Sequence, residues 1–172
     1  MAEKPTPEEF VLWQRRLAAQ ANNRAWTLAE KLQRSSEDDE EMLQAAHAAM
    51  YFWKMAGNRD HHAHAALLLA HVHALLKRAG PAAQYLGKAL PYFTQRDSTP
   101  GELAFVHAVA ANVAAAEGNA AAHARHYAEA RAVAAQITDP RTRELFAATL
   151  RVVRAPEFRD ETRASQSGKV ER

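Results

Sequence analysis

The chain has 172 residues, of which 48% are hydrophobic and 24% are charged, an ordinary balance for one folded domain. It contains no cysteine, which excludes disulfides, thiol catalysis, cysteine-ligated zinc and iron–sulfur clusters. The formal net charge of +2 is too small to indicate nucleic-acid binding by itself.

Signals for the start and end of helices recur along the whole chain and predict about seven helices. The first begins with a capping Thr6, a proline in the first turn and Glu9 three residues after the cap. Apolar residues then follow one helical stripe through Phe10, Trp13, Leu17, Ala21, Leu28 and Leu32. Pro91 predicts that the fourth helix ends or kinks near this residue. The other predicted starts are Ser36, Asn58, Pro81, Thr99, Asn119 and Asp139.

Short connections place consecutive helices antiparallel, either in a closed bundle or in a stack of helical hairpins. An internal repeat favours the stack, because residues at the same spacing recur in the fourth and sixth helices: Ala82, Leu86 and Ala89 against His123, Tyr127 and Ala130. We predict an all-α fold of about seven antiparallel helices stacked as helical hairpins. It forms a single domain over residues 1–156, and the polar residues 157–172 form a flexible tail.

The repeated pattern resembles the second helix of tetratricopeptide repeats. In that family a small residue, a bulky residue four positions later and an Ala three further on follow a turn that contains Gly. Gly118, Tyr127 and Ala130 match this pattern, as does Leu86 with Ala89. The resemblance covers roughly residues 58–137. It implies a superhelical stack whose first helices line a concave face, and binding of a partner or ligand rather than catalysis.

The string Asn22-Asn23-Arg24-Ala25-Trp26 contains the first group of candidate site residues. Two consecutive Asn residues inside a helix cost roughly 1 kcal/mol relative to Ala, because their amides compete for backbone hydrogen bonds. Contact of Asn22, Asn23, Arg24 and Trp26 with a polar ligand or peptide backbone would offset this cost. Alternatively, the Asn pair marks a kink or a break between two shorter helices, and Trp26 is a core residue. Together with residues 40–47, the string also resembles a group of uncharacterised bacterial helical proteins, which implies a candidate site but no chemistry.

Aromatic residues at the end of the second helix form the second group. Tyr51, Phe52 and Trp53 are consecutive, so at least one must point to a groove, a neighbouring chain or solvent. His47 lies on the flank of this stretch and suggests a polar rim.

The nine histidines are the third group, and His61, His64 and His71 share one stripe of the third helix. Histidines three positions apart can share a metal ion, but amphipathic helices also accept His at groove and rim positions. Both interpretations stay open.

These patterns predict a non-enzymatic helical-repeat module that binds a peptide, a protein partner or a small polar ligand in a groove, without a metal or cofactor. The predicted binding residues are Asn22, Asn23, Arg24, Trp26, His47, Trp53, His61 and His64. The alternatives are a His-rich metal-binding protein or metal-dependent enzyme, and a homodimer formed through exposed aromatic residues. Basic residues in the C-terminal third support only a weak nucleic-acid alternative, because acids lie between them. We expect a cytoplasmic protein that does not cross a membrane.

Overall fold

A computed structural model describes residues 5–157, and within this range the chain forms seven α-helices and no strand. The helices are α1 (Pro7–Ala29), α2 (Ser36–Ala56), α3 (Arg59–Leu75), α4 (Ala79–Thr94), α5 (Pro100–Ala116), α6 (Ala120–Ala134) and α7 (Pro140–Val152). The prediction of an all-α fold with seven helices is therefore confirmed. The predicted tail lies outside the described residues from position 158 onward. Among residues 5–157, every helix is too short or too polar to span a bilayer.

Side-chain caps determine where most of the helices begin. Thr99 accepts a hydrogen bond from the backbone N–H of Glu102, and the Glu102 carboxylate accepts one from the backbone N–H of Thr99. Such caps stabilise a helix by about 1 kcal/mol. The same exchange between Asn58 and His61 begins α3 and holds the His61 ring at the first turn. The N-cap residues whose side chains accept such a bond are Thr6, Ser35, Asn58, Thr99, Asn119 and Asp139.

Two positions where helix interruptions were expected differ in outcome. Helix α4 includes Pro91 and ends about one turn later at Thr94, near the predicted position. The carbonyl of Gly87 that loses its helical donor is in an exposed residue that water can reach. Helix α1 is unbroken across Asn22 and Asn23, so the hypothesis of a break at this pair is wrong. Burial of neighbouring α1 residues, among them Ala25 and Leu28, outweighs the poor helix propensity of the two Asn residues.

The helices pack as consecutive hairpins, with α1 against α2, α3 against α4, and α5 against α6. Helix α3 also contacts α1 and α5, and α7 packs against α5. Leu28, Met42 and Leu68 belong to the core shared by α1, α2 and α3, while Phe93 and Val106 belong to the core shared by α3, α4 and α5. This order of contacts brings α1, α3, α5 and α7 near one another.

The N-terminal half of α1 differs from the expected continuous apolar stripe. Phe10, Trp13 and Leu17 are 52%, 54% and 45% exposed. Arg15 donates a hydrogen bond to the carbonyl of Ala56 at the end of α2, so the first two turns of α1 extend beyond their hairpin partner. The apolar pattern correctly predicts a helix, but α2 does not extend far enough to cover the apolar residues in the first turns of α1.

Candidate functional site

A cavity of about 620 Å³ lies between α1, α3, α5 and α7, and the last turns of α2 and α4 contribute to its wall. Six of the eight predicted binding residues line it: Asn22, Asn23, Trp26, Trp53, His61 and His64. They come from three different helices, and the fold brings them to one surface. Their role in binding stays a prediction.

The other two predicted residues, Arg24 and His47, lie outside this cavity. Arg24 faces α2, where its Nε and Nη2 atoms lie 2.7 and 2.6 Å from the carboxylate oxygens of Glu41. The His47 ring packs edge-on against His73 and Tyr85, with centroids 5.8 and 6.4 Å apart. Arg24 follows Asn23 by one position, and one position turns a helix by about 100°. Arg24 therefore faces α2 and pairs with Glu41, and its role in binding, like that of His47, stays a prediction.

Histidine rings hold both cavity tryptophans in place. The Trp53 ring stacks on His61 with centroids 4.0 Å apart, and the Trp26 ring stacks on His71 at 5.4 Å. The edge of Phe105 on α5 packs against Trp26 at 6.3 Å. These contacts give the cavity an apolar wall whose rings are already fixed by protein contacts.

His71 is fully buried behind Trp26 and belongs to the core rather than to the cavity. Its Nδ1 lies 3.2 Å from the side-chain nitrogen of Asn112 on α5, whereas its Nε2 has no hydrogen-bond partner among the described residues. Burial lowers the pKa of His71 to about 3, so the ring is neutral at pH 7. His71 shares a helix stripe with His61 and His64, and this pattern does not show that His71 is buried while the other two line the cavity.

One end of the cavity carries fixed charges. Arg96 forms ion pairs with Glu102 and with Asp60, the latter at 3.6 Å. His64 Nδ1 lies 2.9 Å from the Asp60 carbonyl and 3.5 Å from its carboxylate. Although burial opposes it, hydrogen bonds from Thr99 and Arg96 hold the pKa of Glu102 below its ordinary value. Asp60, His64 and Glu102 are close enough to share a metal ion, but the Arg96 guanidinium already forms ion pairs with both carboxylates.

The amides of Asn22 and Asn23 are the cavity groups best placed to recognise a polar ligand. Among the described residues their side chains share one contact, from Asn22 Nδ2 to Asn23 Oδ1 at 3.4 Å, which is long for a hydrogen bond. Each amide offers both donors and an acceptor. The cavity thus combines an aromatic wall with two amides that make only one long side-chain contact among the described residues.

A second groove, of about 830 Å³, lies between α2, α3 and α4. Its described lining residues include the basic side chains Lys54, Arg59, Lys88 and Arg96 and no acidic one. Sequence reasoning missed this groove because its cations are spread over three helices and the connection after α4, and they become neighbours only in the packed fold.

Comparisons with known proteins found no match to this chain: no family model fits it, and neither a curated protein nor a solved structure is detectably similar. The resemblance to tetratricopeptide repeats therefore stays a prediction, as does the resemblance to bacterial helical proteins. Function has to be inferred from the chemistry of this chain's own side chains.

Proposed function

We propose that the protein is a non-enzymatic helical-repeat module, stacked in hairpins like tetratricopeptide repeats, whose cavity binds a peptide, a protein segment or a small polar ligand. The observation that carries this proposal is the cavity lining. Predicted binding residues from three helices, among them Asn22, Trp53 and His61, line one cavity of about 620 Å³. That volume lies in the range of about 300–1,000 Å³ typical of ligand pockets.

The chemistry of the lining suits a ligand with both apolar and amide-like groups. Trp26, Trp53 and Phe105 provide a wall against which an aliphatic or aromatic group loses its contact with water. The amides of Asn22 and Asn23 can donate to a carbonyl and accept from an N–H, which matches the two polar groups of a peptide bond. A peptide segment with one or two apolar side chains is the ligand that uses both surfaces.

The energetic cost of the Asn pair supports a binding role. Asn22 and Asn23 lie in the interior of α1, where together they destabilise the helix by roughly 1 kcal/mol relative to Ala. The contact at 3.4 Å between their side chains is too weak to offset that cost. Hydrogen bonds from both amides to a bound peptide would offset it.

Peptide selection with a blocked cavity tests the proposal. A phage-displayed library of random peptides is selected against the protein, and the enriched peptides are measured against two variants of α1. Asn22→Trp fills the cavity with an indole, whereas Gln20→Trp places the same ring on an exposed position of the same helix that does not line the cavity. We expect the peptides to bind the protein and Gln20→Trp with similar Kd values and to lose affinity for Asn22→Trp.

Two outcomes would contradict the proposal. Equal binding to Asn22→Trp and Gln20→Trp would locate the peptides elsewhere and contradict the proposal. Failure of the library to yield any specific peptide would contradict it for peptide ligands. Circular dichroism of both variants checks that each keeps the helical fold.

A further inference from the structure

A second group of histidines lies away from the cavity, between α5 and α6. Nδ1 of His107 is 3.1 Å from Nδ1 of His126. Oε2 of Glu129 is 3.1 Å from the first of these nitrogens and 3.2 Å from the second. Three potential ligand atoms thus form a nearly equilateral triangle.

The triangle has the dimensions of a metal site. A point about 2 Å from all three atoms lies just above its plane, and about 2.0–2.2 Å is the distance at which zinc binds His nitrogen and carboxylate oxygen. At such bond lengths neighbouring ligand atoms are about 3.3 Å apart around a tetrahedral ion and about 2.9 Å apart around an octahedral one. The observed separations of 3.1 to 3.2 Å lie between these values.

Each placement of protons on the two Nδ1 atoms leaves an unfavourable contact among the three atoms. A neutral imidazole carries its proton on only one nitrogen. If both Nδ1 atoms carried protons, both N–H groups could donate to Oε2 of Glu129, but the two Nδ1 atoms are only 3.1 Å apart and their hydrogens would lie close together. If one Nδ1 lacked a proton, its lone pair would face the carboxylate oxygen. A divalent cation would accept all three lone pairs at once.

The packing of α5 against α6 and the spacing of residues on α6 place the three side chains together. His126 and Glu129 lie three positions apart on α6 and therefore share a face, and His107 projects from α5 towards them. Small residues such as Ala104 and Ala130, both fully buried, allow the two helices to approach closely. The histidine side chains are 17% and 15% exposed and the Glu129 side chain is 43% exposed, so water can reach the open side.

We propose that His107, His126 and Glu129 bind a divalent transition-metal ion through three protein ligands. Two imidazoles and one carboxylate, in a chain that has no cysteine, suit Zn²⁺, Co²⁺ or Ni²⁺ rather than Ca²⁺ or Mg²⁺. The coordination positions that the protein leaves open face solvent and would hold water or a small anion. This inference does not depend on the peptide-binding proposal, because none of its three residues lines the cavity.

Arg125 provides a specific check on this geometry. One of its guanidinium nitrogens lies 3.3 Å from Nε2 of His126. A metal ion on Nδ1 of the neutral ring moves the proton to Nε2, so Arg125, which is exposed, has to turn away. We therefore expect Arg125→Ala to bind the metal more tightly than the natural chain, since it removes both the donor conflict and a nearby positive charge.

Titration of tag-free, chelator-treated protein with CoCl₂ and ZnCl₂ tests the proposal by visible absorption and calorimetry. We expect one ion per chain. Glu129→Gln and His126→Ala should each weaken binding by at least about 100-fold, the upper end of what loss of a group outside the ligand shell produces. His64→Ala is the matched control, because His64 belongs to the charged end of the cavity, and its affinity should be unchanged.

Three outcomes would overturn the assignment. The first is the absence of one-to-one binding at micromolar metal concentrations. The second is normal binding by Glu129→Gln, whose exposed position makes the variant safe for the fold even if His126→Ala unfolds. The third is loss of binding in His64→Ala, which would move the site to the cavity.

Discussion

Replacing Asn22 and Asn23 together by Ala should stabilise the folded protein while removing its capacity to bind peptides. Each Asn disfavours the helix by up to about 0.7 kcal/mol relative to Ala, and both residues lie in the interior of α1. The variant loses one contact of 3.4 Å between the two side chains, a bond at the edge of hydrogen-bond geometry. We therefore expect a net increase of about 1 kcal/mol in the free energy of unfolding. For a chain of this size that raises Tm by about 2–4 °C.

Urea unfolding followed by circular dichroism at 222 nm measures this change directly. The midpoint should rise with an unchanged slope, since the variant exposes the same surface on unfolding. Gln20→Ala, an exposed substitution on the same helix, is the control and should change stability only slightly. A double variant that is destabilised by 1 kcal/mol or more would refute the reasoning, because the Asn pair would then hold the fold together.

Other predictions concern the buried histidine and two glycines. Because burial lowers the pKa of His71 to about 3, only the unfolded chain takes up this proton between about pH 6.5 and 3, so stability falls as pH drops through that window. Urea unfolding at pH 7 and at pH 4.5 should show that this group lowers the free energy of unfolding by about 2–3 kcal/mol at the lower pH. If His71→Gln left this pH dependence of stability unchanged, the assignment would be contradicted. Gly101→Ala places a Cβ 2.8 Å from Cγ2 of Thr142 and should destabilise by about 1–3 kcal/mol, because α5 and α7 would have to separate. Gly87→Ala, with open space around its Cβ and an exposed position in α4, should instead stabilise by up to about 1 kcal/mol; similar Tm shifts in the two variants would contradict the close approach at Gly101.

The helices were predictable because their signals are local. Thr99 and Glu102 stand three residues apart and exchange hydrogen bonds wherever the helix begins, so the cap can be recognised without knowledge of the rest of the fold. The exact end of α4, at Thr94 rather than before Pro91, was harder to predict because it depends on the surroundings of the helix. Whether a proline ends a helix depends on whether the carbonyl four residues earlier can find another partner, and that depends on exposure.

Part of the cavity lining was also predictable. Asn22 and Trp26 are four positions apart on α1, and His61 and His64 are three apart on α3, so each pair had to share a helix face. The packing of α1 against α3 then brings the two faces together, which the sequence did not specify. Phe105 could not be found, because it reaches the cavity from α5 through contacts distant in the chain.

The proposed metal ligands also depend on a contact between helices that the sequence did not predict. The positions of His126 and Glu129 are compatible with a shared ligand face, yet so are many pairs on amphipathic helices. What distinguishes this pair is the arrival of His107 from α5 with its Nδ1 3.1 Å from that of His126. That distance depends on the register between two helices, which no spacing within either helix determines.

The most direct test of the cavity as a binding site uses the three tryptophans of the chain. Trp26 and Trp53 line the cavity, whereas Trp13 lies on the exposed face of α1 and serves as an internal control. In nitrogen-15 spectra recorded while a selected peptide is added, the indole N–H signals of Trp26 and Trp53 should shift and that of Trp13 should stay in place. Shifts confined to Trp13, or an absence of change in all three signals at saturating peptide, would contradict the account.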